Sequence, residues 1–128
     1  MSQISENGYY FSKTVDYGSF DDTVEAIRRE LKSEGFGVLT EIDVQATVKA
    51  KLGKEFRPYL ILGACNPSFA RQALVAEEWI GTLLPCNVVV QQQDDGVIMV
   101  GAMNPGLMVQ VTGNPELEKM SLELRKKI

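Results

Sequence analysis

The sequence has 128 residues, of which 45% are hydrophobic and 23% charged, and its formal net charge is −4. This length and balance predict one globular domain with its own core, and they exclude disordered, collagen-like and coiled-coil proteins. The acidic balance argues against a nucleic-acid partner, because Lys and Arg supply most of the affinity for phosphates. The chain has no histidine, which excludes Ser-His-Asp triads, Cys-His dyads and histidine metal sites within one chain.

No stretch reaches the roughly 18 apolar residues that a membrane span needs, and the N-terminus lacks a basic segment followed by an apolar one. The sequence therefore predicts a cytoplasmic protein with no membrane partner. In that compartment Cys65 and Cys86 are expected to be reduced thiols rather than a disulfide.

The N-terminal third predicts a strand followed by a helix. Residues 1–7 are polar and are expected to be frayed, whereas 9–17 are rich in the aromatic and β-branched residues typical of strands. Ser19 and Asp22 have the spacing of a capping box at the start of a helix. Apolar residues then recur at helical spacing until Gly35, which is expected to end the helix.

The next segment predicts a strand, a short helix and a second strand. Residues 36–43 read as a strand, and Asp43 can cap a short helix that ends at Gly53. Residues 56–65 are apolar along their second half, which predicts a central strand. Pro58 fits the entry to that strand better than its middle.

The second half of the chain predicts a helix and a hairpin. The Asn-Pro pair at 66–67 predicts the start of a helix, with Asn66 as N-cap and Pro67 as the first helical residue. The Leu-Pro pair at 84–85 ends the segment that connects this helix to the next strand. Residues 86–93 and 97–103 read as two strands joined by the Asp-Gly turn at 95–96.

The C-terminal segment predicts a short strand or extended stretch at 108–111. A second Asn-Pro pair at 114–115 then predicts a terminal amphipathic helix, with its apolar positions at Leu117, Met120, Leu124 and Ile128. The strand predicted at 97–103 is apolar on both faces, which favours a covering layer or a partner.

Three blocks of the sequence resemble the signature of domain-of-unknown-function family 302: GFGVLTEIDVQATVKAKLG at 35–53, FRPYLILGACNP at 56–67 and LLPCNVVV at 83–90. The resemblance runs from the aromatic first strand to Met108. It implies a single α+β domain over 1–128, similar to the TATA-binding-protein-like sandwich, with helices on one curved, mainly antiparallel sheet and often a homodimer. It implies no activity, and the DNA-binding role of the fold's namesake does not carry over.

Cys65 is the most informative candidate for chemistry. It directly precedes the predicted helix cap Asn66, where free backbone N–H groups and the helix dipole favour an anion. A thiol there can have a lowered pKa and act as a nucleophile. The favoured alternative is a small buried thiol, because free cysteine is among the most buried residue types.

Cys86 opens the strand that follows Pro85. If this strand is the antiparallel neighbour of 56–65, Cys65 and Cys86 can approach each other; a right-handed parallel crossover would separate them. The spacing of the two cysteines allows either topology, and the family resemblance favours the antiparallel one.

Two carboxylates and three methionines are weaker candidates. Glu41 and Asp43 share one strand face; capping explains Asp43, while Glu41 is either a proton acceptor or ligand beside the thiols or an exposed carboxylate. A soft-metal site could combine the two thiols with thioethers, but core packing is the favoured interpretation of the methionines. These methionines are Met99, Met103 and Met108. Trp79 is expected in the core or on a dimer surface.

Three hypotheses for function remain. The favoured one is a cytoplasmic homodimer with a pocket for a small ligand or a soft metal near Glu41, Cys65, Asn66, Cys86 and Asn87. The second is a thiol enzyme or redox protein, with Cys65 as nucleophile and Cys86 as resolving thiol; the lack of histidine for proton transfer weakens it. The third is a non-catalytic interaction module with structural cysteines. The sequence points to no particular cofactor or metal.

Overall fold

The computed structural model describes residues 5–6 and 8–118. Six strands form a single sheet: β1 (Ser5–Glu6), β2 (Tyr10–Val15), β3 (Gly37–Asp43), β4 (Tyr59–Cys65), β5 (Cys86–Gln92) and β6 (Ile98–Met103). Four helices and a 3₁₀ turn connect them: α1 (Phe20–Ser33), α2 (Val44–Leu52), α3 (Pro67–Ala76), the turn Ile80–Leu83 and α4 (Gly106–Thr112).

The sheet is open, curved and antiparallel at every strand pair, in the order β1-β2-β6-β5-β4-β3. One face carries the core, because alternate residues of β4 and β5 pack with α1, α3 and α4. Leu62 and Val90 are completely buried on this face. The predicted α+β fold class, with helices packed on one curved antiparallel sheet, is confirmed.

The helix starts follow the predicted capping residues. Ser19 Oγ accepts from the backbone N–H of Asp22 at 3.1 Å, and Asp22 Oδ2 accepts from the N–H of Ser19 at 3.3 Å, which completes the capping box of α1. Asp43 Oδ1 accepts from the N–H of Ala46 at 2.9 Å at the start of α2. Gly53 ends α2 with a φ of 65°, a left-handed conformation that favours glycine.

The predicted hairpin is also present. β5 and β6 pair from Val88 with Ala102 to Gln92 with Ile98, and Gly96 in the turn has a φ of 90°. Strand β4 lies between β3 and β5, as expected for a central strand.

The structure corrects the prediction at 108–111, which lies in α4 rather than in a strand. Asn104 decides this, because its Oδ1 accepts from the N–H of Gly106 at 3.0 Å while its backbone oxygen accepts from that of Leu107. This first turn directs Met108 into the core, where it is 2% exposed.

The N-terminal end of the chain differs from the prediction, and most of the predicted C-terminal helix lies outside the described residues. Ser5–Glu6 pair with β2 as an edge strand instead of being frayed. At the other end, 116–118 are helical and Leu117 is buried. The predicted apolar positions at Met120, Leu124 and Ile128 lie outside the described residues.

Trp79 is 73% exposed, so of its two predicted places, the core and a dimer surface, the core is excluded. Within the described residues, no helix combines the length and hydrophobicity that crossing a bilayer requires.

Candidate functional site

The two cysteines lie at neighbouring positions of adjacent strands. β4 and β5 are antiparallel, and Cys86 pairs with Ala64, the residue before Cys65. Cys65, Asn66 and Cys86 line a small cavity beneath α3, here called the thiol pocket; the rest of its lining is Phe36, Ala64, Phe69, Ala70, Ala73, Leu84, Pro85 and Met108. The structure therefore brings together three of the five predicted site residues.

The thiol pocket is too small for an organic ligand. Its volume is about 20 Å³, which is enough for about one water molecule. Apart from the thiols and Asn66, its lining side chains are apolar, so the pocket resembles a packing defect at the strand ends more than a binding site.

Cys86 is a poor nucleophile at neutral pH. Its side chain is buried, and burial together with the nearby Cys65 raises the pKa of the Cys86 thiol from 9.0 to about 11. The neutral thiol is therefore the form present near pH 7, whereas nucleophilic attack requires the thiolate. Both cysteines are unpaired, and Cys65 is half-buried.

Asn66 has a structural role. Its Oδ1 accepts from the backbone N–H of Phe69 at 3.3 Å and so satisfies one of the free donors at the start of α3. Pro67 occupies the first helical position, where its missing N–H costs nothing. The Asn-Pro pair thus accounts for the helix start without any ligand.

Glu41 does not line the thiol pocket. It lies on β3, and its Oε1 is 2.9 Å from Nη2 of Arg28 on α1. Arg28 also approaches Glu25, with 3.8 Å between Nε and Oε1. This small network ties α1 to the edge strand, and Glu41 lies in it as a largely exposed carboxylate rather than in the thiol pocket.

Asn87 lies between two larger cavities on opposite faces of the sheet. The first, here called the α1 cleft, has a volume of about 410 Å³ and separates α1 from β5 and β6. The second, the sheet groove, has a volume of about 500 Å³ and lies on the opposite face, where Leu107 of α4 also lines it. Asn87, Ala102 and Met103 line both cavities.

The α1 cleft is apolar inside and polar at its mouth. Its polar lining residues are Lys13, Glu30, Ser33, Glu34 and Asn87, and its remaining lining residues are Ile27, Leu31, Phe36, Ala64, Cys86, Val88, Val100, Ala102 and Met103. Glu30 is held in place by the Tyr17 hydroxyl, which donates to its Oε1 at 2.7 Å. That hydrogen bond raises the pKa of Tyr17.

The sequence does not predict this cleft, because the apolar residues that line it have the pattern of ordinary core residues. The apolar face of α1 predicts close packing on the sheet, and no motif signals a gap. The small side chains of Ala64 and Ala102 line the cleft on the sheet side and contribute to the space there.

The methionines are divided between the two faces of the sheet. Met108 lines the thiol pocket with both cysteines, Met99 lines the sheet groove, and Met103 lies at the rim of the groove and the α1 cleft. Within residues 8–118, no three Cys, Asp or Glu side chains come together as a metal site.

Comparison with known proteins identifies the family. Residues 11–128 match the family described as Domain of unknown function DUF302, and no curated protein matches the chain. The crystal structure of an uncharacterised conserved DUF302 protein from Bacillus stearothermophilus is similar, with 30% sequence identity and a TM-score of 0.85 over 94% of this chain and 93% of that one. The match confirms the resemblance seen in the three sequence blocks, and the chain belongs to the DUF302 family.

Proposed function

We propose that this protein is a small-ligand-binding domain whose site is the α1 cleft. The observation that carries the proposal is a space of about 410 Å³ between α1 and the sheet. Sites for small molecules have volumes of about 300–1,000 Å³ and are lined mainly by apolar side chains with a few polar groups. The cleft has both properties, whereas the thiol pocket is too small, at about 20 Å³.

The lining favours a mostly apolar ligand with a polar end. Ile27, Val88 and Val100 offer apolar contacts inside the cleft, and Lys13 offers a hydrogen-bond donor at its mouth. A ligand that buries its apolar part and leaves its polar end at the mouth gains hydrophobic burial without desolvating a charge.

The test compares two matched substitutions on opposite faces of the sheet. Val100 lines only the α1 cleft and Val89 only the sheet groove. We expect the uncharged fluorophore N-phenyl-1-naphthylamine to bind the wild-type protein and to raise its melting temperature. Val100→Phe should weaken this binding at least tenfold because the added ring fills the cleft, while Val89→Phe should leave it unchanged.

Either of two results would contradict the proposal. One is fluorophore binding of undiminished affinity in folded Val100→Phe protein. The other is binding lost equally in both variants, since that would mean an effect on stability rather than on the cleft. Circular dichroism and urea unfolding of each variant establish that it is folded.

We also propose that the protein is a homodimer that associates through α3 and the residues after it. Leu74, Val75 and Trp79 are 47%, 74% and 73% exposed, and a Trp with neighbouring apolar side chains is typical of an interface. The expected result is a dimer in sedimentation velocity that Trp79→Glu converts to a monomer. Leu39→Glu, which changes an equally exposed residue on β3, is the control and should remain dimeric.

A soft-metal site is the second candidate function, because Cys65, Cys86 and Met108 line one cavity. Thiolate and thioether ligands select Cu(I), and metal binding would release the thiol protons. Titration of Cu(I) against a competing chelator should show one equivalent bound. Met108→Leu should weaken binding and Met99→Leu should not, because Met99 lies on the other face; equal affinities in both variants would reject the site.

The unpaired state of both cysteines supports a cytoplasmic location, since thiols persist in reducing compartments. Intact mass measured on protein alkylated at the moment of lysis should show two labelled thiols after unfolding. A mass with neither thiol labelled would indicate a disulfide and an oxidising compartment.

A further inference from the structure

The sheet groove is a depression built by the strand register. On the face opposite the core, Tyr59, Gln91 and Met99 form one cross-strand row, because Tyr59 pairs with Gln91 and Gln91 with Met99. In the next row Gly101 stands between Val89 and Ser12. Gly101 has no side chain, so this row leaves an open space above the sheet at its centre. The neighbouring row has the long side chains of Tyr59, Gln91 and Met99 and borders that space.

The groove is uncharged but can form hydrogen bonds. Of the twelve described residues that line its volume of about 500 Å³, none carries a formal charge. Tyr10, Tyr59, Asn87 and Gln91 supply hydroxyl and amide groups, and Val89 and Met99 supply apolar surface. A flat floor with polar groups around it fits a planar ring, and a charged group placed over the floor would lack a counter-charge.

A cation stands at one end of the groove. Arg57 Nε donates to Gln91 Oε1 at 2.9 Å, and the guanidinium carbon lies 4.7 Å from the centroid of the Phe56 ring and 5.4 Å from that of Tyr59. Gln91 Oε1 also accepts from Gln93 Nε2 at 3.2 Å. These contacts fix the guanidinium beside two groove residues.

The charge of Arg57 is not compensated within the described part of the chain. The side chain is half-buried, and no described carboxylate lies within 4.0 Å of it. Its terminal nitrogens have no hydrogen-bond partner among residues 8–118. A guanidinium with free terminal nitrogens matches the geometry of a carboxylate, which it can bind through two parallel hydrogen bonds.

We propose that the sheet groove is a second binding site, separate from the α1 cleft, for a planar aromatic carboxylate. The ring lies over Gly101 against Val89 and Met99, and the carboxylate pairs with Arg57. Charge complementarity selects this occupant, because in the described part of the chain the groove has one cation at its end and no charge along its floor.

The experiment uses 2-naphthoate and its uncharged isostere 2-naphthamide, each titrated into the wild-type protein while backbone amide shifts are followed by NMR. Naphthoate should bind with shifts at Val89 and Gly101, and naphthamide about tenfold more weakly, as expected for loss of a charged hydrogen bond. Arg57→Gln should remove the difference between the two compounds. Val89→Phe should abolish binding of both, whereas Val100→Phe, which changes the α1 cleft, should have no effect.

Several results would overturn this site. They are equal affinity of the two compounds for wild type, a preference for naphthoate that survives Arg57→Gln, shifts confined to the α1 cleft, or no binding at millimolar concentration. A dimer that Val89→Phe dissociates would also overturn it, because the groove would then be covered by a second copy. If Val89→Phe does not fold, the wild-type shift map and Arg57→Gln still decide the outcome.

Discussion

Arg28 Nη2 lies 2.9 Å from Glu41 Oε1, and this ion pair joins α1 to the edge strand β3. The two side chains are 30% and 49% exposed, so solvent screens their attraction. Exposed pairs of this kind contribute about 0.2–1 kcal/mol to stability. Of the two interpretations that the sequence left for Glu41, a ligand or base beside the thiols and an exposed carboxylate, this pair fits the exposed carboxylate, and it helps to position α1.

Glu41→Gln should lower the free energy of unfolding by less than about 1 kcal/mol and leave binding of N-phenyl-1-naphthylamine and Cu(I) unchanged. Urea unfolding measures the first effect and the titrations described above measure the second. In a double-mutant cycle, Arg28→Gln should lower the free energy of unfolding less in the Glu41→Gln protein than in wild type. Loss of ligand or Cu(I) binding in Glu41→Gln would restore the functional role of Glu41.

Asn66→Ala should destabilise the protein by about 1 kcal/mol, because α3 loses the acceptor for the N–H of Phe69. Asn66→Asp is the matched control and should retain nearly full stability, since Asp is an equally good cap. Urea unfolding of the three proteins makes the comparison. If both variants were equally destabilised, the capping explanation would be wrong.

Gly63→Ala should be among the most destabilising single methyl additions in the sheet. A Cβ at Gly63 would overlap Thr40 Oγ1 and lie 2.7 Å from Pro85 Cγ, and such overpacking costs about 1–3 kcal/mol. Gly37→Ala on the paired strand is the control, because its nearest neighbour, the backbone oxygen of Cys65, would be 3.9 Å away. Thermal unfolding should also show partial recovery when Thr40→Ala is combined with Gly63→Ala.

The stability of the protein should fall at alkaline pH because of Cys86. Its folded-state pKa is about 11, against an ordinary value of 9.0. Between these values the unfolded chain releases a proton that the folded protein keeps, so this contribution is fully present below pH 9 and is lost as the pH rises towards 11. One pKa unit corresponds to about 1.4 kcal/mol, so the free energy of unfolding should fall by roughly 2–3 kcal/mol over this pH range.

Urea unfolding with a reductant present, at pH 8 and at pH 10.5, checks this expectation. The difference between wild type and Cys86→Ala isolates the thiol from the tyrosines and lysines that also titrate in this range. Parallel pH dependences for the two proteins would show that Cys86 does not carry the effect.

Alkylation of the native protein should distinguish the two cysteines. Cys86 is buried and protonated near neutral pH, so we expect iodoacetamide to label half-buried Cys65 first at pH 7.5 and Cys86 after unfolding. Peptide mass spectrometry reports each site. Faster labelling of Cys86 than of Cys65 would contradict the burial and the raised pKa of Cys86.

Much of the fold follows from the sequence because its signals are local. Ser19, Asp43 and Asn66 each accept a hydrogen bond from a backbone N–H three residues later, so a short stretch of sequence contains the whole interaction. Gly96 likewise supplies the positive φ of the hairpin turn by itself. The segment 108–111 was predicted wrongly because β-branched residues there favour a strand, while the turn at Asn104 and the burial of Met108 favour a helix.

The candidate sites depended on the tertiary structure. The sequence singled out Cys65, Asn66 and Cys86, and the antiparallel register of β4 and β5 brought them together. That register also left them a pocket too small for an organic ligand. The α1 cleft and the sheet groove arise where residues distant in sequence fail to fill the space between elements. Capping and turn chemistry act over three or four residues and can be read from the chain, whereas a cavity depends on packing between elements and exists only once the sheet has formed.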